Sequence, residues 1–130
     1  MENIILIGAG GFFGALARYF ISKGIYVWIN DVFPWGTLLV NMTGCFFIGC
    51  LYELFSGSAA APSVRNMLVI GFVGAYTTFS TFALESVHLA RDRELGYFFL
   101  NMGLNNAGGV AMVLCGLYSV RFLRVFLAGN

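Results

Sequence analysis

The sequence predicts an all-α membrane protein: four transmembrane helices in a single domain, residues 1–130, with the third helix broken. Three observations carry this. The chain is 59% hydrophobic and only 10% charged, with a mean hydropathy of +0.84, whereas an average soluble domain is about a quarter charged. Four apolar windows approach the ~20 residues a membrane helix needs: Ile4–Ile21, Gly36–Phe55, Met67–Leu89 and Tyr97–Val120. Residues 74–82, GAYTTFSTF, set four hydroxyls (Thr77, Thr78, Ser80, Thr81) inside the third window.

The first window follows MENIILIG, which lacks the basic region of a cleavable signal, so this span is expected to be retained. It holds Gly10 and Gly14 at GxxxG spacing and Arg18 near its end. Small residues let helix backbones touch in lipid, where apolar burial does not drive association. Gly44 with Gly49, Gly71 with Gly74, and Gly108 with Gly109 mark close approach in the other spans. Four short helices enclose little space, so an oligomer is expected. Arg18 is compatible with snorkelling to the interface or with a cation at a pore mouth. The run GAGGFFG at Gly8–Gly14 is no dinucleotide fingerprint: Phe13 stands where the last glycine belongs, and no βαβ unit surrounds it. No nucleic-acid partner is expected.

A joint from Lys23 to Pro34 leads to the second window, in which Asn41 sits within WGTLLVNMTG. Its amide suits an interhelical hydrogen bond or a donor to a permeant anion. Cys45, Cys50 and Cys115 are odd in number and lack zinc spacing, which leaves them as packing thiols. Beyond the Ser56 to Arg65 joint, the third window reaches its hydroxyl cluster. Thr and Ser compete for the backbone and are mediocre helix formers; with Gly71 and Gly74 they predict a break. A break frees backbone groups that survive at membrane depth only in protein or beside water. Phe79 and Phe82, three apart, then present ring edges whose partial positive charge favours a small anion. His88, three residues after Glu85, is too little for a metal site. No nucleophile–base pair stands out, so no enzyme is expected. After Arg91-Asp92-Arg93-Glu94, the fourth window puts Asn101 and Asn105 on one helical face, extended by Gly109. This is a polar track or an interhelical seam.

Three stretches, GFVGAYTTFSTF (Gly71–Phe82), WGTLLVN (Trp35–Asn41) and GFFGALAR (Gly11–Arg18), resemble the Fluc (CrcB) fluoride channel family, and the likeness covers essentially the whole chain. The resemblance implies a homodimer of four-helix subunits in opposite orientations, with two pores that export fluoride passively across the cell membrane, here a bacterial inner membrane, and lower its cytoplasmic toxicity. It implies that Asn41 donates a hydrogen bond to fluoride, that Phe79 and Phe82 are ring-edge contacts, and that Arg18 sits near an aqueous vestibule. It places Ser80, Thr81 and Glu85 near the path. It makes the backbone carbonyls of Gly74 and Thr77 ligands of a structural sodium ion at the dimer centre, which is not transported. The fourth span departs from the family pattern, with Asn101, Asn105 and Gly109 where hydroxyl residues are expected. Rival readings are a small multidrug antiporter, disfavoured because the first span carries Arg18 and no acid after Glu2, and a non-transporting assembly protein, which leaves the hydroxyl-rich break unexplained.

Loop charge sets the orientation of a membrane protein. Arg65, Arg121 and Arg124 fall on the side of the termini, against Lys23, Arg91 and Arg93 opposite. With so little bias, reporter fusions at the C-terminus should find it on both sides of the membrane; one orientation for all copies would refute dual topology.

Overall fold

The computed structural model describes residues 1–57 and 60–129. Every regular element in them is helical. The first span is α1 (Glu2–Trp28) and the second α2 (Trp35–Phe55). The third is assembled from α3 (Pro62–Asn66), a π-helical stretch (Met67–Val73), α4 (Gly74–Tyr76) and, past a break, α5 (Phe79–Arg91). The fourth joins α6 (Leu95–Gly103) to α7 (Gly109–Ala128) through a second π-helical stretch, Leu104–Gly108. Four helical runs are thus long and apolar enough to cross a membrane. Each starts before its apolar window, and all but α2 also run past the window's end. Lys23, expected in a joint, lies inside α1, where its ammonium donates to Tyr19 Oη at 3.2 Å.

The expected break in the third span is present. Tyr76 ends α4, and Thr77 and Thr78 are extended, at φ −76°, ψ 157° and φ −146°, ψ 111°. Thr78 then caps α5: its Oγ1 accepts from the Thr81 backbone N–H at 3.3 Å and donates to Thr81 Oγ1 at 2.9 Å. A threonine N-cap restores one of the donors that a helix start leaves open.

Glycine sets how close the helices come. Gly10 and Gly14 of α1 lie directly against backbone of the first π stretch, at Met67 and Phe72, while Gly71 faces the Ile7 carbonyl. Gly49 and Gly116 make the corresponding contact between α2 and α7, against the carbonyls of Val113 and Phe46. No Cβ fits at these positions without moving main chain, so backbones pack against each other as small-residue interfaces in lipid do. Gly109, by contrast, is covered by side chains: a Cβ there would meet Cys45 Sγ at 3.4 Å and Met42 Cε at 3.8 Å.

Both ends of the bundle are closed by polar contacts. The loop before α2 is held by Asp31, whose carboxylate accepts from the Val32 N–H at 2.7 Å and from Trp35 Nε1 at 2.9 Å. The indole hydrogen bond, with help from backbone amides, holds its carboxyl below the usual range. Beside it, Phe33 is 1% exposed and packs against the rings of Trp35 and Tyr97. At the other end, the last carbonyls of α2 are met by arginines. Arg124 donates to Leu54 O at 2.9 Å and Ser56 O at 3.5 Å, and Arg65 donates to Phe55 O at 2.7 Å. Cations suit the negative end of a helix. Glu53, buried beneath them, pairs with Arg121 at 3.4 Å and Arg124 at 3.7 Å.

The glycine contacts make a contrast that can be measured. Gly14→Ala and Gly116→Ala force main chain apart and should each cost about 1–3 kcal/mol or more. Gly24→Ala, which meets nothing within 4 Å, should keep or slightly raise the thermal transition of detergent-purified protein, since alanine favours a helix interior over glycine. Equal transitions for all three would remove the backbone contacts as a packing constraint.

Candidate functional site

The break leaves the Thr78 backbone N–H without a helical acceptor, and Asn41 takes it while also reaching the carbonyl of Thr78, which as N-cap of α5 opens that helix. Asn41 Oδ1 accepts from the Thr78 N–H at 2.8 Å, and its Nδ2 donates to the Thr78 carbonyl at 3.1 Å. A carboxamide is the side chain that can do this, because it carries a donor and an acceptor side by side. The second proton of Nδ2 goes to Asn105 Oδ1 at 2.8 Å. Asn41 lies in the first half of α2, an unbroken helix, and so holds the broken one from a rigid element.

Beside this junction is a cavity of about 320 Å³, lined by Asn41, Thr77, Thr78, Phe79, Phe82 and Asn105 among others. The two phenyl rings meet edge to face, with centroids 5.5 Å apart and planes at 62°. Phe82 is buried, whereas Phe79 is 76% exposed. A second cavity, about 530 Å³, opens on the other side of the break; Arg18, Ser22, Lys23, Tyr26, Thr37, Thr81 and Glu85 line it. Thr78 belongs to both linings, so the break is the wall between them.

The sequence-identified residues fall around these two spaces. Arg18 reaches into the larger cavity and donates to the Thr77 carbonyl at 3.4 Å. Glu85 Oε1 accepts from Tyr26 Oη and from Thr37 Oγ1, each at 2.7 Å, and its Oε2 is buried with no hydrogen-bond partner. Thr81 lines the larger cavity, while Ser80 is exposed and lines neither. Asn105 borders the smaller cavity; Asn101, 0% exposed, stands behind it and lines neither. Gly74 is exposed, and a Cβ there would find only Val69 O, at 3.6 Å. The Thr78 N–H that would close its helical turn goes to Asn41 instead, so the Gly74 carbonyl has no i+4 partner.

Sequence reading passed over several residues of the site. Tyr26 and Thr37 hold Glu85, and Thr43 accepts from Tyr76 Oη at 2.8 Å while donating to Leu39 O at 2.7 Å. Ser86 is buried and accepts from Asn101 Nδ2 at 3.0 Å. Of these, Ser86 could have been found from its place one helical turn after Phe82; the others depend on pairing between spans.

Replacing Asn41 with Leu would leave the buried Thr78 N–H without a partner, at about 1–3 kcal/mol. Asn41→Leu should therefore lower the thermal transition in detergent clearly. A transition equal to that of the wild type would show that the break does not depend on Asn41.

The family model described as CrcB-like protein, Camphor Resistance (CrcB), matches residues 5–117. A Magnetococcus marinus protein named fluoride-specific ion channel FluC is 41% identical over 101 residues, covering 77% of this chain and 82% of its own. Proteins of the same name from Hydrogenovibrio crunogenus and Desulforapulum autotrophicum are each 38% identical, over 90% and 94% of this chain and 89% and 98% of theirs. With the family match spanning nearly all four membrane helices, this multi-pass membrane protein belongs to the CrcB family.

Proposed function

We propose that the chain is a fluoride-specific ion channel that lets fluoride leave the cell passively and so lowers its toxicity inside. The observation that carries this is the smaller cavity, where two edge-to-face rings and a carboxamide meet at a helix break. Ring edges and amide N–H groups attract an anion without a fixed charge to trap it. Donors fixed around an ion in this way favour a small ion, which they can approach closely, over a large one. The name carried by the relatives agrees with this reading.

In this reading Phe79 and Phe82 present ring edges to fluoride, and Asn41 donates from Nδ2. Both Nδ2 protons are engaged in the resting arrangement, so the ion replaces the longer bond, that to the Thr78 carbonyl at 3.1 Å. Arg18, with Lys23, makes the larger cavity attractive to anions entering from water. Ser80, Thr81 and Glu85 lie along or beside the route, and Asn105 borders the smaller cavity.

The working unit is an antiparallel homodimer with two pores. The exposure of Phe79 and the open face at Gly74 support this, because both sit where a second copy would cover them. A two-fold axis there brings each break against its own copy. The Gly74 and Thr77 carbonyls suit a structural sodium ion: both lie at the break, and Gly74's lacks a helical partner. Thr77's already accepts from Arg18 at 3.4 Å, but a carbonyl has a second lone pair to offer. The ion would supply fixed positive charge in a region that water screens poorly.

Purified protein in liposomes should release fluoride without a proton gradient and pass chloride far more slowly; comparable chloride flux would sink the assignment. Phe79→Ile and Phe82→Ile keep bulk but lose the ring quadrupole, and Asn41→Asp exchanges a donor for negative charge. Each should reduce fluoride flux severely while the dimer still elutes intact. Full flux after exhaustive sodium removal would overturn the sodium site.

A further inference from the structure

The Asn41 side chain is the first member of a hydrogen-bonded chain that runs away from the cavity in one direction. Asn41 Nδ2 donates to Asn105 Oδ1 at 2.8 Å, and Asn105 Nδ2 donates to Asn101 Oδ1 at 2.8 Å and to the Asn101 carbonyl at 3.1 Å. Asn101 Nδ2 donates to Ser86 Oγ at 3.0 Å, and Ser86 Oγ donates to the Phe82 carbonyl at 2.8 Å. The chain begins at the Thr78 N–H, which Asn41 Oδ1 accepts, and ends at the Phe82 carbonyl.

Both ends are backbone groups, and backbone groups cannot exchange donor for acceptor. The polarity of every amide between them is therefore fixed: turning any one over would set N–H against N–H or oxygen against oxygen. Bonds aligned head to tail also polarise and strengthen one another. The relay ties α2 to α6, the second π stretch and α5, and it returns to the residue whose ring lines the cavity.

We propose that Asn101, Asn105 and Ser86 are positioning residues, which fix the orientation of the Asn41 amide and the first turn of α5 rather than touch the permeant ion. Asn101 is sealed from both cavities, and both Nδ2 donor directions of Asn105 are spent on Asn101. The amide-for-hydroxyl exchange in the fourth span thus builds a longer reach: two carboxamides bridge from α2 to Ser86. This inference rests on the fluoride reading for its flux measurement but not for its structural one.

Fluoride efflux from liposomes should fall about fivefold in Ser86→Ala, the weight of one hydrogen bond. Ser86→Thr, which keeps the hydroxyl, should restore it. Asn101→Leu should lose more, and Ser86→Ala combined with Asn101→Leu should be no worse than Asn101→Leu alone, because groups in one network are not additive. The dimer should elute normally throughout. Side-chain amide NMR signals read the relay without any flux: those of Asn101 and Asn105 should shift and exchange faster in Ser86→Ala. Wild-type flux in Ser86→Ala, additive losses, or unchanged amide signals would each overturn the proposal. Should Asn101→Leu fail to fold, the Ser86 pair and the amide signals decide. A wild type that moved no fluoride would refute the channel reading and leave the amide signals to judge the relay.

Discussion

Backbone groups left open by a helix break in the middle of a membrane are the constraint on which this structure turns. Lipid offers them nothing, and the third span nevertheless breaks at Thr77 and Thr78. The break is tolerable because Asn41, on a continuous neighbouring helix, supplies an acceptor for the Thr78 N–H, and Arg18 a donor for the Thr77 carbonyl. The rest follows from that pairing. Asn41 has to be held in one orientation, the helices have to come close enough for it to reach, and the disturbed backbone has to face protein or a cavity. The amide relay, the glycine contacts and the two cavities on either side of Thr78 meet those needs in turn.

The glycine contacts bear on precision as much as on stability. Backbone against backbone leaves few flexible side chains between α1 and the third span, or between α2 and α7. Displacement of either pair moves main chain directly. A site that discriminates ions by fractions of an ångström benefits from walls of this kind.

Much of this was legible in the sequence, because lipid enforces simple rules. Apolar run length gave the four spans, and the hydroxyl cluster gave the break, since Thr and Ser weaken a helix by a local mechanism. The three-residue spacing of Phe79 and Phe82 put both rings on one side. What could not be read locally was pairing between spans. Whether the Asn101 and Asn105 face was a track or a seam depended on what stood opposite, and α5 supplied Ser86 from fifteen residues earlier in the chain. The Tyr26, Thr37 and Glu85 group was invisible for the same reason: its members come from three spans. Helix ends were underestimated because hydropathy marks where hydrocarbon stops, whereas α1 and α7 continue beyond it.

The arginines at the end of α2 have a consequence for biosynthesis. Arg121 and Arg124 belong to the fourth span, yet in the folded protein they are tied to Glu53, and Arg124 also to the carbonyls of Leu54 and Ser56. Those partners are out of reach until the fourth span has entered the bilayer. While the nascent chain is choosing its orientation, both guanidinium groups therefore carry their full charge to the insertion machinery. Once the helices associate, both pair with Glu53, and Arg124 caps α2, although their side chains stay exposed. Insertion and folding read the same two residues at different moments, so exchanging Arg124 for a neutral cap would alter the charge that orients the chain even if the contact with the α2 carbonyls were reproduced.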